Sequence, residues 1–539
     1  TATGSIALLA PWALMMPTGI ATAAAATLFT LAAVRARQAW RVLRYQRNMR
    51  RLPLYRMRAE RIPVSRHKLF LGRGFRWTQR HTQRLRDTLR PEVQGYVQPG
   101  AFHCWARRRE VDWESTPILE TLAWCLRQPR WWNPVRPQPA VGGMPALHAV
   151  EPEEEDAWMD LGERVGHLLV LGTTRVGKTR LAELLVTQDI HRGDVVIVFD
   201  PKGDADLLRR IYAEAQRAGR ADAFYLFHLG FPEISARYIN DIEPLFVEYA
   251  RHYLAVHGPE DWAENVGDIA AKISERNLAA ALRGRDREAI ALMRYLQAQD
   301  LYDPVLEGLV SAFKYDKTYF DKIVSSVGPL MEKLTTGTIA ALISPDYLDE
   351  QDPRPIFEWL QVIQRKGIVY VGLDALTDTT VASAVGNAMF ADLVSVAGHI
   401  YKHGVPGAEA GTVPTISLHA DEFNELIGDE FVPLLNKAGG AGFQVTAYTQ
   451  TWSDVEARIG NRAKAGQVAG NFNTLIMLRV KELATAEMLT DQLPRVEVNT
   501  LMSVSGVDDS ADPASGVDFK SRNEDRISVS EVPMLTPAD

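Results

Sequence analysis

Short apolar runs alternate with amphipathic segments between residues 166 and 230. The runs "HLLVLG", "DVVIVFD" and "AFYLFHLG" are continuously apolar, whereas "TRLAELLVTQDIHRG" and "ADLLRRIYAEAQRAGR" between them carry apolar residues at helical spacing. The strand pattern returns in "GIVYVGLDA", "TISLHADEF", "GFQVTAYTQ" and "NTLIMLRV", with a long helix predicted from Thr379 to His403. Buried strands that alternate with helices predict an α/β fold with a mainly parallel sheet covered on both faces.

The first 34 residues carry no charged side chain and are mostly apolar, as in "SIALLAPWALMMPTGIATAAAATLFTLAAV". A single helix of that length would span roughly 50 Å, against a bilayer core of about 30 Å. Because Pro17 and Gly19 can form a turn, we expect a transmembrane hairpin. Its first helix is cut short at the start of the sequence and its second ends near Val34. The alternative is a buried core helix.

Charge is distributed unevenly along the chain. The net charge is -7, yet the segment from Arg35 to Arg90 contains 18 Arg and Lys against two acids. The run "RARQAWRVLRYQRNMRR" directly after the apolar segment favours a cytoplasmic position for these residues. It can contact anionic lipid headgroups or DNA phosphates, and the sequence leaves both open. The only cysteines, Cys104 and Cys125, exclude a disulfide framework and favour a reducing compartment.

The loop after the first apolar run, "GTTRVGKT", fits the pattern G-x-x-x-x-G-K-[ST], with a strand before it and a helix after it. Glycines in such a loop let backbone N–H groups surround phosphate oxygens, and the helix N-terminus adds a partial positive charge. We expect Lys178 to reach the β- and γ-phosphates and the Thr179 hydroxyl to bind Mg²⁺. The predicted nucleotide-binding residues of the loop are Gly172, Thr173, Thr174, Arg175, Val176, Gly177, Lys178 and Thr179.

Two adjacent acids, Asp421 and Glu422, end the apolar run of "TISLHADEF". Together with the phosphate loop, they predict that Asp421 binds Mg²⁺ and that Glu422 is the general base that activates water. Adjacent Asp and Glu fit hydrolysis better than simple kinase chemistry. We therefore expect an ATPase with ATP and Mg²⁺ as its cofactors.

Three further residues are candidates for the same site. Gln450 follows the next strand, where it either senses the γ-phosphate and places water or simply ends the strand. Asp200 in "FDPKGD" lies at the expected ligand-binding edge of the sheet, where it contacts the nucleotide or forms an Asp-Pro turn. A ring ATPase also needs an arginine that acts in trans. Arg479, which ends "NTLIMLRV", is preferred to Arg458 and Arg462.

These motifs divide the chain into six parts. Segments such as "PLFVEYARHYLAV" have helical spacing and predict an all-α domain inserted into the sheet domain, and the stretch from 127 is rich in proline, glycine and acid, as linkers are. The predicted parts are a transmembrane segment (1–34), a basic juxtamembrane segment with a small mixed region (35–126), a linker (127–157), the first part of the nucleotide-binding domain (158–244), the all-α insertion (245–345), and the second part of the nucleotide-binding domain with a polar tail (346–539).

Several stretches of the sequence together resemble one family. "GTTRVGKTRLAELLVTQDIHRGDVVIVFDPKGDAD", "HADEFNEL", "AYTQTWSD" and "NFNTLIMLRVKE" are similar to type IV coupling proteins, the TraD-like ATPases of conjugative transfer. "FLGRGFRWTQRHTQRL" resembles the branch found in integrative conjugative elements. The resemblance implies a RecA-like P-loop motor domain with an all-α insertion and an anchor in the bacterial inner membrane, with the bulk of the chain in the cytoplasm.

The same resemblance implies a function. A hexameric ring would pass single-stranded DNA, with its attached relaxase, to the inner-membrane components of a type IV secretion channel. Lys178 and Thr179 would take the phosphate-loop roles, Asp421 and Glu422 the Walker B roles, and Gln450 the sensor role. Two other functions remain open: a nucleotide-gated docking adaptor that recruits protein substrates to the channel, and an FtsK-like translocase of double-stranded DNA.

Overall fold

A computed structural model describes residues 2–52, 55–130, 132–139, 144–238, 333–334, 337–343, 352–407, 413–428, 431–512 and 516–538. The predicted all-α insertion at 245–345 lies outside these residues, apart from 333–334 and 337–343. The sheet domain, the amino-terminal helices and the region between them are described.

The secondary structure follows in chain order. The described strands are β1 (Lys68–Gly74), β2 (Glu155–Asp160), β3 (Leu168–Leu171), β4 (Val195–Asp200), β5 (Phe224–His228), β6 (Arg237–Tyr238), β7 (Ile356–Phe357), β8 (Ile368–Gly372), β9 (Ile416–Ala420), β10 (Phe443–Thr449), β11 (Thr474–Met477), β12 (Arg495–Asp512) and β13 (Gly516–Pro533). The described α-helices are α1 (Ala2–Leu9), α2 (Thr18–Arg50), α3 (Gln79–Thr88), α4 (Gln94–Val97), α5 (Ala101–Glu114), α6 (Glu120–Arg127), α7 (Pro145–Ala149), α8 (Leu161–Arg164), α9 (Lys178–Arg192), α10 (Ala205–Arg217), α11 (Gly337–Ile343), α12 (Trp359–Gln364), α13 (Thr379–His403), α14 (Phe423–Leu426), α15 (Phe431–Lys437), α16 (Trp452–Ile459), α17 (Arg462–Ala469) and α18 (Leu483–Thr490).

One parallel sheet of seven strands organises the molecule, in the order β11-β3-β10-β9-β4-β8-β5. Every residue of β3, β4, β8, β9 and β10 is buried, which explains why β3, β4 and β8 are almost continuously apolar in sequence. The largest hydrophobic cluster packs the sheet residue Phe199 with Trp359 of α12 and Phe390 of α13. The predicted α/β fold with a mainly parallel sheet is confirmed.

The amino-terminal helices α1 and α2 pack against each other as a hairpin. Gly4 and Ala7 of α1 and Ala21 and Ala25 of α2 are buried, and small residues at such positions let two helices approach closely. Among the described helices, α2 and α13 are long and apolar enough to cross a membrane, but half of the apolar window of α13 is buried inside the protein. Helix α13 is thus a core helix, which leaves α2 as the candidate span.

Helix α2 continues without a break past Val34, the predicted end of the apolar segment, to Arg50. Its arginine-rich half contains mainly residues with good helix propensity, so nothing in the sequence stops the helix at the end of the apolar part. At its end the Arg50 guanidinium donates hydrogen bonds to the carbonyl oxygens of Tyr96 (3.1 Å) and Gly95 (2.9 Å). These bonds fasten the helix end to the small mixed region.

An antiparallel pair, β1 and β2, joins the small mixed region to the sheet domain. The Gln188 side chain of α9 donates to the Phe70 carbonyl (2.9 Å) and accepts from the Phe70 N–H (2.8 Å), which fixes β1 against the helix. The predicted boundary between linker and nucleotide-binding domain, at 157/158, falls inside β2. Only Met159 of β2 is buried, so this strand lacks the continuously buried pattern of the sheet strands and its pairing with β1 defines it.

The predicted polar tail contains a long antiparallel hairpin formed by β12 and β13. The Gln83 side chain of α3 donates to the Asn499 carbonyl (3.0 Å) and accepts from the Asn499 N–H (2.7 Å), so the base of the hairpin docks on the small mixed region. Because this contact joins segments more than four hundred residues apart, local sequence patterns do not reveal it.

A buried ionic cluster ties the far end of α9 to the central strands. Arg164, which is 0% exposed, donates to both carboxylate oxygens of Asp189 at 2.6 and 2.7 Å. The ring nitrogens of His419 lie 2.8 Å from Asp189 Oδ2 and 3.0 Å from the Tyr448 hydroxyl. Burial alone would raise the pKa of Asp189, but the charge of Arg164 and the hydrogen bonds from His419 and Arg164 hold this pKa well below its usual range.

Substitution of Arg164 by methionine should lower the free energy of unfolding of the full chain by about 3–5 kcal/mol, because Asp189 would remain buried without its main counter-charge. The measurement is urea unfolding of the detergent-solubilised protein. The matched control is Arg209→Met, which removes an exposed pair with Asp206 and should change stability by less than about 1 kcal/mol. Equal stability of the two variants would contradict the role assigned to the cluster.

Candidate nucleotide-binding site

The carboxyl ends of four neighbouring parallel strands, β3, β10, β9 and β4, meet at one edge of the sheet. Ligands of open α/β sheets bind at this edge. A cavity of about 420 Å³ opens there, and its lining contains both the glycine loop and the paired acids. The lining residues are Thr173, Thr174, Arg175, Gly177, Lys178, Thr179, Arg180, Asp200, Lys202, Asp204, Asp421 and Glu422.

The glycine loop, "GTTRVGKT", connects β3 to α9. Gly177 has φ +106°, a left-handed conformation that side chains disfavour, and α9 begins at the next residue. The loop is held by hydrogen bonds from the Gly172 N–H to the Thr449 carbonyl (3.1 Å) and from the Thr173 N–H to the Arg479 carbonyl (3.0 Å). Gly172 and Val176, predicted as binding residues, do not line the cavity, and Val176 packs beside Gly172.

The Lys178 side chain is 9% exposed and faces the cavity. Within the described residues its ammonium makes no hydrogen bond, and its ion pair with Glu422 Oε1 spans 3.7 Å. Burial lowers the pKa of Lys178, while the charges of Glu422 and Asp421 oppose that shift. A buried ammonium without a hydrogen-bond acceptor, at the start of a helix and in a polar cavity, fits a phosphate oxygen.

The paired acids follow β9 directly. The Asp421 N–H donates to the Phe199 carbonyl (2.9 Å) in continuation of the sheet, and Glu422 then turns into a left-handed conformation with φ +40°. Glu422 is only 5% exposed. Burial, followed by the charges of Asp200 and Glu422, raises the pKa of Asp421 to about 7. A divalent cation would relieve this crowding of negative charge.

Gln450 follows β10, the strand that lies between the loop strand β3 and the acidic strand β9. Its side-chain amide donates to both carboxylate oxygens of Glu422, each at 3.4 Å. The sequence placed Gln450 at the sheet edge, and the structure brings it into contact with the predicted base.

Asp200 lines the cavity, but both of its oxygens are engaged by its own loop. Oδ1 accepts from the N–H groups of Lys202 (2.9 Å) and Gly203 (3.0 Å). Oδ2 accepts from the N–H of Asp204 and the hydroxyl of Tyr370, each at 2.6 Å. These contacts favour the Asp-Pro turn over direct contact with a nucleotide.

Magnesium coordination would depend on the nucleotide as well as on the protein. The described residues contain no group of three or more His, Cys, Asp or Glu side chains that could hold a metal ion. The predicted ligands, Thr179 and Asp421, both line the cavity. Because Mg²⁺ takes six oxygens and is commonly bound through one or two protein groups plus phosphates and water, this donor set fits a Mg²⁺–nucleotide complex.

Three residues that line the cavity are not among the predicted site residues: Arg180, Lys202 and Asp204. The Lys202 ammonium contacts Glu422 Oε1 directly, and Arg180 lines the opening beside the loop. Lys202 belongs to "FDPKGD", so its place at the ligand-binding edge of the sheet could have been predicted from that motif. Arg479 does not line the cavity: its carbonyl accepts from Thr173, and its side chain is exposed.

The parallel sheet, the glycine loop and the paired acids at its edge define a P-loop protein of the RecA-like type. Residues 415–539 match the family model described as "TraM recognition site of TraD and TraG". The matched residues begin just before β9, the strand that the paired acids follow. The resemblance to type IV coupling proteins of the TraD type is thereby confirmed.

Solved structures similar to this chain include conjugative coupling proteins. TrwBdeltaN70 in its unbound monoclinic form is 18% identical with a TM-score of 0.41, covering 71% of this chain and 80% of that chain. TrwB in complex with ADP and Mg²⁺ is 17% identical with a TM-score of 0.40, covering 70% and 80%. VirB4 of Thermoanaerobacter pseudethanolicus is 13% identical with a TM-score of 0.32, covering 60% and 80%. No curated protein matches the chain.

Replacement of Asp421 by asparagine should stabilise the chain at about pH 8 in the absence of nucleotide and Mg²⁺. The folded protein keeps a proton on Asp421 up to about pH 7, whereas the unfolded chain loses it near pH 4. The contribution of this group to stability therefore falls as the pH rises between these values.

The expected gain is about 2–4 kcal/mol at pH 8 and close to zero near pH 4. The measurement is the free energy of unfolding at the two pH values. The exposed Asp222→Asn change serves as the control for removal of a surface carboxylate and should leave the free energy of unfolding within about 0.5 kcal/mol of wild type. A gain of the same size at both pH values would show that the effect is not due to the charge of Asp421.

Proposed function

We propose that this chain is a membrane-anchored ATPase that couples ATP hydrolysis to the delivery and translocation of single-stranded DNA, with an attached relaxase, into a type IV secretion channel. The observation that carries the proposal is the convergence of Lys178 and Gln450 on Glu422 at one cavity. The TraD and TraG match over residues 415–539 supports the coupling role.

ATP with Mg²⁺ supplies the phosphoanhydride bond that is broken. Lys178 and the N–H groups of the glycine loop would hold phosphate oxygens, and Thr179 and Asp421 would hold the cation. Glu422 accepts the proton of the attacking water, since its carboxylate lies at the same cavity. Gln450 positions that carboxylate through the two 3.4 Å contacts.

The amino-terminal hairpin supports an anchor in the bacterial inner membrane, with the bulk of the chain in the cytoplasm. Large apolar side chains of α2, such as Ile20, Leu31 and Val34, are exposed, as side chains that face lipid are. The arginine-rich continuation of α2 follows the rule that basic residues flank a span on the cytoplasmic side.

The proposed assembly is a homo-hexameric ring, and its partners are a relaxosome protein and the inner-membrane components of the secretion channel. The family model that matches residues 415–539 is described as the TraM recognition site of TraD and TraG. This description supports recruitment of a relaxosome protein by the same residues. Lysines and arginines facing the pore of a ring would grip DNA phosphates without reading bases.

Two substitutions at the cavity test the chemistry. Lys178→Ala should abolish ATP binding and hydrolysis, because it removes a phosphate contact and no part of the core. Glu422→Gln should bind ATP but hydrolyse it at least about 100-fold more slowly, as expected for loss of a general base. The measurements are nucleotide binding and phosphate release by the full chain in detergent, with Lys437→Ala, an exposed lysine on α15, as control.

The same assay, run with added DNA, tests the coupling function. Single-stranded DNA should stimulate hydrolysis more than double-stranded DNA does. Stronger stimulation by double-stranded DNA would favour the FtsK-like translocase. A rate of hydrolysis that does not change when DNA is added would favour the docking adaptor. Hydrolysis at the wild-type rate by the Glu422→Gln protein would show that Glu422 is not the general base.

Arg479 is proposed to act on the nucleotide of a neighbouring subunit. It follows β11, the edge strand of the sheet, and its side chain is exposed. Arg479→Ala keeps the main-chain bond to Thr173, and should lower hydrolysis about 1,000-fold or more in uniform rings. Mixing these subunits with Glu422→Gln subunits should restore activity, measured as phosphate release. Absence of rescue would assign Arg479 to its own subunit.

A further inference from the structure

Lys202 holds the oxygen of Glu422 that lies nearest to the phosphate loop. Its ammonium contacts Glu422 Oε1, and the Lys178 ammonium lies 3.7 Å from the same oxygen. One carboxylate oxygen thus stands between two cations at the wall of the cavity. Burial would lower the pKa of Lys202, but its hydrogen bond with Glu422 and the charges of Glu422 and Asp421 together raise this pKa, so the residue is charged at neutral pH.

The backbone that carries Lys202 is fixed independently of this ion pair. The Asp200 carboxylate accepts from three successive N–H groups, beginning with that of Lys202 itself (2.9 Å). Gly203 has φ +70°, and a Cβ atom there would lie 2.4 Å from Nε2 of the buried His228. The hydrogen bonds to Asp200 hold the backbone of the turn in place, with Lys202 at the wall of the cavity.

The position of Lys202 relates it to one phosphate in particular. By its motif, Lys178 reaches the β- and γ-phosphates. Glu422 acts on the water that attacks the γ-phosphate, so a group in contact with Glu422 lies at the γ end of the site. A diphosphate ends one phosphate short of that position. A triphosphate offers terminal oxygens, which bind ammonium groups at least as well as a carboxylate does.

We propose that Lys202 is the residue with which this site distinguishes a nucleoside triphosphate from a diphosphate, by exchanging Glu422 for the terminal phosphate. The proposal rests on the proposed function, because it requires nucleotide at this cavity. With a diphosphate bound, Lys202 stays on Glu422. With a triphosphate bound, Lys202 contacts the γ-phosphate and leaves Glu422 Oε1 free to accept a hydrogen bond from water. Lys202 thus positions the base as well as binding the substrate.

The test compares affinities for two nucleotides in the full-length protein. Fluorescently labelled ADP and a labelled non-hydrolysable ATP analogue, both with Mg²⁺, are titrated into wild type, Lys202→Met and Lys202→Arg. Lys202→Met should reduce the preference for the triphosphate about tenfold or more, the effect of one charged hydrogen bond, and should leave ADP affinity within about twofold of wild type. Lys202→Arg should keep most of the preference, because it keeps the charge.

Lys437→Met, the same change at an exposed lysine on α15, is the matched control and should leave both affinities unchanged. Unchanged ADP binding by Lys202→Met also shows that the variant is folded. An unchanged ratio of the two affinities in Lys202→Met would overturn the proposal. Equal loss of both affinities would also overturn it, since the lysine would then support the loop rather than contact the terminal phosphate.

Failure of this inference differs from failure of the proposed function. If wild type binds neither nucleotide, the ATPase proposal itself is wrong. If wild type binds and hydrolyses ATP while Lys202→Met keeps the wild-type affinity ratio, only the role of Lys202 is wrong.

Discussion

The parallel pairing of β3, β10, β9 and β4 sets the positions of every polar group in the cavity. Parallel strands end at the same edge, so the loop after β3, the amide after β10, the acids after β9 and the turn after β4 must lie side by side. Because β10 lies between β3 and β9, Gln450 at its end lies beside both neighbouring strand ends and contacts Glu422, which also pairs with Lys178. A different strand order would leave the same residues unable to meet.

The interior below this edge is unusually polar for a packed core. Arg164, Asp189 and His419 are all essentially unexposed, and they join α8, α9 and β9. The bidentate pair of Arg164 with Asp189 holds the strands and the P-loop helix in one arrangement. The cavity above it keeps opposed charges close together, with Asp421 raised in pKa and Lys178 lowered. The surrounding structure, held by the buried cluster, allows the cavity to keep charged groups whose burial is individually unfavourable.

The sequence predicted what local patterns encode. The glycine loop, Asp421 and Glu422 were placed by motif, and Gln450 by its position after a buried strand. Asp200 was ambiguous because an acid after a strand serves a turn or a ligand equally well, and only its four hydrogen bonds distinguish the two. The Arg164–Asp189 cluster and the docking of the β12–β13 hairpin on α3 escaped prediction because the partners are distant in the chain. The site assignments and domain boundaries remain predictions.

Helix α2 has a mechanical consequence for the proposed anchored chain. Its part beyond Val34 extends about 24 Å at 1.5 Å per residue, and Arg50 at its end is bonded to the following segment. An unbroken helix resists bending far more than a flexible tether does. Movement of the motor domain during a catalytic cycle would therefore tilt or rotate the membrane helix. A flexible linker would absorb the same movement and leave the anchor in place.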